Sequence, residues 1–84
     1  MYKLFVGGLP FATTDEELRD AFAAHGTVAS ATVVRDRESG RSKGFGFVEF
    51  ENEEEGKAAQ AAMNGSDMGG RTIMVDVARP KENR

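Results

Sequence analysis

Residues 43–50, KGFGFVEF, hold three phenylalanines and a valine, split by two glycines and entered through a lysine. Aromatic and β-branched residues in such a run mark a strand. A strand sends alternate side chains to opposite faces. Phe45 and Phe47 therefore share one face, and Val48 and Phe50 share the other. Covering both faces of a sheet takes more chain than 84 residues usually supply. One aromatic pair is left facing outward, and the rest of the sequence says which.

Upstream, Lys3 to Val6 reads as a short strand with Leu4 and Val6 on one face and Lys3 and Phe5 on the other, ended by Gly7-Gly8. Thr14 and Glu17 have the spacing of a capping box, and Asp15 and Glu16 suit the positive end of a helix dipole. Leu18, Ala21, Phe22 and His25 follow as one helical stripe, so a helix is predicted over about 14–25, with Gly26 just past its end. Val28 to Arg35 is a second strand, with Ala31 and Val33 on one face and Ser30, Thr32 and Val34 on the other. The polar stretch DRESGRS, 36–42, links it to the quoted strand. Downstream, Asn52 caps a second helix that runs to about Met63, with Ala59, Ala62 and Met63 as its apolar stripe. Asn64-Gly65 stops it, Met68-Gly69-Gly70 is a turn, and Arg71 to Ala78 is the last strand. Residues 1–80 read as one domain and 81–84 as a solvated tail.

The order β-α-β-β-α-β is the ferredoxin-like split βαβ, an α+β sandwich of a four-stranded antiparallel sheet with both helices on one face. The helices bury Leu18, Phe22, Ala59 and Met63 against Leu4, Val6, Ala31, Val33, Val48, Phe50, Ile73 and Val75. Alternation then places Phe5, Phe45 and Phe47 on the uncovered face. An exposed apolar patch of this kind marks an interaction site. Burial of one such ring is worth ~1.5–3 kcal/mol, so a partner that covers three gains several. Self-coverage by a terminal extension or by a second copy is the plainer reading, but the short charged tail suits it poorly. Flat rings beside Gly44 and Gly46, which permit close approach of a ligand or backbone, suit flat ligands. A base stacked on such a ring gains ~1–3 kcal/mol.

Composition excludes several classes. No apolar run reaches the ~20 residues that cross a bilayer, and the N-terminus has no signal-peptide pattern, so no membrane partner is expected. The chain has no cysteine, hence no disulfide or thiolate metal site, which fits a reducing compartment. Its one histidine, His25, rules against zinc or serine–histidine chemistry and reads as a helix C-terminal residue. Met63 reads as core filler and Tyr2 as packing at the sheet's edge. The net charge of −3 speaks against a polyanion until its placement is considered. Residues 14–25 carry −3 and residues 52–63 carry −2, which leaves +2 for the remainder. Residues 35–43 and 79–84 each contribute +2, so positive charge flanks the aromatic face and negative charge lies on the helices.

KGFGFVEF fits every defined position of the octamer K/R-G-F/Y-G/A-F-V-x-F/Y. Random occurrence of that pattern is on the order of one in a hundred million per start site, so the match is specific. LFVGGL, residues 4–9, resembles the companion hexamer on the first strand. The chain thus resembles the RNA recognition motif family from about Lys3 to Pro80. DRESGRSKGFGFVEF, AMNG and GRTIMVDVA are similar to the small glycine-rich and cold-inducible RNA-binding proteins and their bacterial relatives. The glycine-rich tail common among them does not occur in these 84 residues.

The resemblance implies a module for single-stranded RNA, with single-stranded DNA as a second ligand, acting in post-transcriptional regulation or as an RNA chaperone. It implies a base stacked on each of Phe5 and Phe47, a sugar against Phe45 and a phosphate at Lys43. It implies that Lys3, Val34 and Met74 line the open face, and that backbone near Ala78 and the side chain of Arg79 read base edges. A monomer in the cytoplasm (or in nucleus and cytoplasm of a eukaryote), with no cofactor, metal or small-molecule substrate, is the matching expectation.

The sequence departs from the family at Gly56 and Gln60, where the second helix usually has alanine and a larger aliphatic. Glycine inside a helix costs ~1 kcal/mol relative to alanine, so this helix is expected to be weakly held. Glu49 and Asp76 should project near the binding face and oppose phosphate locally. The alternative is a protein-interaction module on the same fold, favoured by the acidic balance and disfavoured by the three sheet aromatics. An enzyme of this fold, such as an acylphosphatase, would need a basic phosphate-cradling loop where this chain has GGLPFATT. KGFGF is also not the GxGxxG of a dinucleotide site.

Overall fold

The computed structural model describes residues 2–78, apart from the side chain of Ser42. Strand β1 is Tyr2–Gly7, helix α1 Asp15–Ala23, β2 Val28–Arg35, β3 Ser42–Phe50 and α2 Glu53–Met63. Three short strands follow: β4 Asp67–Met68, β5 Arg71–Thr72 and β6 Met74–Val77. The main sheet is four-stranded, in the order β2-β3-β1-β6, with antiparallel neighbours throughout. Helix α1 packs over β2 and β3, and α2 over β1, β3 and β6. This is the expected sandwich. Leu4, Val6, Leu9, Leu18, Phe22, Val28, Val33, Val48, Phe50, Ala59, Ile73 and Val75 form its buried core, with Ala31 and Met63 half-buried against it. The Phe22 and Phe50 rings meet edge to face at 6.4 Å.

Both helices start where capping chemistry places them. The Thr14 hydroxyl accepts from the Glu17 amide at 3.1 Å, and the Glu17 carboxylate accepts from the Thr14 amide at 3.2 Å. Asn52 Oδ1 accepts from the amides of Glu54 and Glu55 at 2.8 and 3.2 Å. At its far end α1 stops at Ala23, so His25 lies beyond the helix rather than on its stripe. The chain tightens there through His25 N to Phe22 O and Gly26 N to Ala23 O, and the Thr27 amide donates to Glu55 Oε1 at 2.9 Å. On α2, Ala62 is exposed and not part of the apolar stripe.

Three departures from simple alternation matter. A register shift between Val28 and Ser30 sets Val28 opposite Phe50, which turns Val28 into the core although it shares parity with the outward Thr32. The expected last strand is divided. Arg71–Thr72 pairs with Asp67–Met68 in a separate two-residue hairpin, and only Met74–Val77 joins the main sheet. Gly69 and Gly70, with φ of 59° and 89°, supply the two positive values that such a tight hairpin turn requires. Between the two segments Ile73 is buried, its amide donating to Ser66 O and its carbonyl accepting from Gly65 N.

Gly56 and Gln60 have packing reasons. Gly56 is buried beneath Tyr2, and a Cβ there would run into the Tyr2 ring. The Gln60 side-chain amide donates to Val75 O at 2.8 Å, and the Val75 amide donates to Asn64 Oδ1 at 3.0 Å. Helix α2 is therefore tied to β6 by both polar side chains of its last turns. Likewise α1 is tied to β2, where the Val33 amide donates to Asp15 Oδ1 at 2.7 Å.

The β2–β3 loop is organised by Asp36. Its carboxylate accepts from the amides of Glu38 and Ser39 at 2.8 and 3.2 Å. Its own amide donates to Arg41 O at 2.7 Å. The Glu38 bond first, then that of Ser39, hold its carboxyl below the ordinary 3.8. Depression in the folded state means that the stabilising contribution is present at neutral pH and is lost as pH falls through the folded value. Amide chemical shifts of Glu38 and Ser39 are expected to titrate with a common midpoint below 3.8. A midpoint at or above that value would contradict the loop geometry.

Candidate nucleic-acid interface

Phe5 and Phe47 stand directly opposite one another across β1 and β3, and Gly7 stands opposite Phe45. Both helices lie on the other side, so these rings occupy the open face. They form a cluster: Phe5 to Phe45 is 5.5 Å, Phe5 to Phe47 5.7 Å and Phe45 to Phe47 6.4 Å between centroids. Tilted and edge-to-face contacts hold each ring in place, and each remains only half-buried. Gly7 makes room for this, since a Cβ there would lie 3.1 Å from Phe5 Cε2. The three rings thus brace one another into a platform.

The other expected residues surround it unequally. Lys3 sets its ammonium 4.7 Å from the Phe47 centroid, a cation–π contact. Met74 lies opposite Gly7 on the same face and is 67% exposed. Val34 is half-buried on β2, inside the irregular register between Val33 and Arg35. Lys43 is exposed at the start of β3, where Gly44, with φ of 85°, interrupts the alternation that would fix its face. Ala78 donates its amide to Lys3 O at 2.9 Å, so that amide serves the sheet rather than a base. Arg79 lies outside the described residues. Glu49 is occupied by a hydrogen bond from the Ser30 hydroxyl at 2.9 Å, and Asp76 stands opposite Phe5 as an exposed carboxylate.

Gly46 plays a different part from the one its motif position suggests. It points to the core side, where a Cβ would collide with the Thr32 carbonyl oxygen and come within 3.3 Å of Leu18 Cδ2. Its missing side chain admits the protein's own backbone, not a ligand. Phe11 and Arg71 belong to no motif of the sequence, yet they meet here. Phe11 is 66% exposed on the loop between β1 and α1, and the Arg71 guanidinium carbon sits 5.9 Å from its centroid. An aromatic directly after Gly-Gly-Leu-Pro is a legible signal, but its cationic neighbour is sixty residues away in sequence.

Among the described residues no cluster of three or more His, Asp or Glu side chains could hold a metal ion. Among them, too, no helix is long and apolar enough to cross a membrane.

Comparison with known proteins gives a consistent picture. A family model described as RNA recognition motif matches residues 4–74. The glycine-rich RNA-binding protein blt801 of Hordeum vulgare is 46% identical over 82 residues, 98% of this chain and 51% of that protein. The small RNA-binding protein 11, chloroplastic, of Arabidopsis thaliana is 49% identical over 81 residues, 96% of this chain and 56% of that protein. The chain spans about half the length of these curated relatives. The solved Sxl-lethal protein/RNA complex superposes with a TM-score of 0.88 at 34% identity, over 95% of this chain and 48% of that one.

Proposed function

Given that the chain belongs to the RNA recognition motif family, we propose that it is a binding module for single-stranded RNA, read on its open sheet face. The observation that carries this reading is the Phe5–Phe45–Phe47 cluster, three rings held within 6.4 Å of one another on the side away from the helices. Rings so placed meet bases that a single strand can splay out and that a duplex keeps stacked. A relative solved as a protein/RNA complex on the same fold supports it.

In this reading one base stacks on Phe5 and another on Phe47, while Phe45 lies against ribose. Lys43 meets a phosphate, and Lys3, Val34 and Met74 bound the platform. Arg79 and backbone beyond the Ala78 amide read base edges. Residues 1–80 act as one monomeric domain, and single-stranded DNA binds by the same stacking. The working compartment is the cytoplasm, although one relative is named as chloroplastic. Its role is in the handling of transcripts after synthesis.

Fluorescence anisotropy with short labelled RNA, single-stranded and in duplex form, at several salt concentrations, tests the reading. Binding is expected to the single strand and not to the duplex. The slope of log affinity against log salt should be shallow, about −2, because few phosphates are neutralised. Equal affinity for the duplex, or a slope several times steeper, would point to backbone electrostatics and sink the stacking mechanism.

A further inference from the structure

Among the described residues Phe11 is the one phenylalanine that is neither in the core nor on the sheet, and with Met74 it is a large hydrophobic left exposed. It does not hang from a loose loop. Leu9, two residues before it, is buried and donates its amide to Gly44 O at 2.8 Å. Thr13, two residues after it, is buried and donates to Pro10 O at 3.0 Å, and Thr14 begins the capping box of α1. The sequence thus holds a large apolar side chain in water from a rigid turn, which calls for a partner as the sheet rings do.

Its surroundings are cationic. Phe11, Ala12, Arg35, Gly40 and Arg41 line a pocket of about 480 Å³, within the size of known small-ligand sites. Among the described residues no acidic side chain contributes to that lining, in a chain whose net charge is −3. Arg71 adds a third guanidinium over the Phe11 ring. The ring also lies beside the strand that carries two of the platform rings. A Cβ on Gly44 would lie 3.5 Å from Phe11 Cε1, so the ring packs beside the residue that precedes Phe45.

Resting on the single-stranded RNA reading above, we propose that Phe11, Arg35, Arg41 and Arg71 form a flanking nucleotide site that takes one further base and its phosphate from the same strand. The ring offers a stacking surface, and the arginines, planar and always charged, match phosphate oxygens. An acidic peptide would satisfy the guanidiniums but leave the ring without a flat partner. The nucleotide satisfies both.

The test compares single-stranded RNAs of about four and about eight nucleotides, the shorter filling the platform and the longer reaching past it. Phe11→Ala is expected to weaken the longer RNA ~10-fold and the shorter less than about twofold. Phe11→Trp should restore the longer RNA's affinity, and Arg35→Ala/Arg41→Ala should flatten its salt slope. If Phe11→Ala binds both lengths as the parent does, or loses both equally without rescue by tryptophan, the flanking site is overturned while the platform stands. A glutamate-rich peptide that displaces the longer RNA only when Phe11 is intact would assign the pocket to protein instead. If the parent binds no single-stranded RNA, or Phe45→Ala/Phe47→Ala leaves the shorter RNA unaffected, the platform reading fails and the flanking site falls with it.

Discussion

Replacement of Phe45 and Phe47 together by alanine is expected to lower affinity for a short single-stranded RNA by ~100-fold or more while the domain stays folded. The base stack on Phe47 contributes ~1–3 kcal/mol, loss of Phe45 removes the ribose contact and the ring that braces Phe5 and Phe47, and every ~1.4 kcal/mol is a factor of ten. Two lost contacts therefore leave little measurable binding. The fold should survive because both rings sit on the face opposite the core, outside the buried set around Phe22 and Phe50. What the domain loses internally is their contact with each other and with Phe5, ~0.5–1.5 kcal/mol per aromatic pair, and the Lys3 ammonium's contact with Phe47. Anisotropy titration alongside circular dichroism decides the matter. Affinity within about threefold of the parent, with the fold intact, would mean that the cluster is not where bases bind.

Gly46→Val should do the reverse, damaging the fold before it touches a ligand. The new Cβ would collide with the Thr32 carbonyl and stand 3.1 Å from Val33 Cα. Both are backbone atoms of β2, already fixed by pairing with β3 on one side and, at Val33, by Asp15 on the other. Neither can yield without breaking ladder hydrogen bonds. Overpacking of this kind costs ~1–3 kcal/mol and sometimes more. In a domain of this size ~1 kcal/mol moves the melting temperature ~4–8 °C. A fall of ~10–20 °C is expected by thermal unfolding. A change of less than ~3 °C would show that β2 relaxes freely, contrary to its hydrogen bonding.

The two substitutions together show how much of the site was written in KGFGFVEF. Alternation separates Phe45 and Phe47 from Val48 and Phe50, a local, period-two property, and the apolar stripes of the two helices decide which pair is covered. The capping signals at Thr14 and Asn52 were equally legible, since donor and acceptor lie within three residues. Misreadings arose where the deciding partner is distant in sequence. Val28 turns inward because of a bulge set by pairing with Phe50. Gly56 and Gln60 looked like weaknesses of α2 until Tyr2 and Val75 were placed against them. Asp67–Met68 is too short to carry a strand signal, so nothing in the sequence marks the break at Ile73. The neighbourhood of Phe11 depends on the approach of four separate segments, which no periodicity encodes.

The polar contacts from the helices to β2 and β6 have a consequence for how copies of this chain meet. A strand at the margin of a sheet ordinarily presents unpaired amides and carbonyls that another chain can zip onto. Here the Val75 amide and carbonyl are already engaged by Asn64 and Gln60, and the Val33 amide by Asp15. Both margins are thus closed in part by the domain's own side chains, so strand addition would first have to displace them. Crowding many copies on one transcript, or stringing them along one polypeptide, then brings sheets close together without inviting them to fuse.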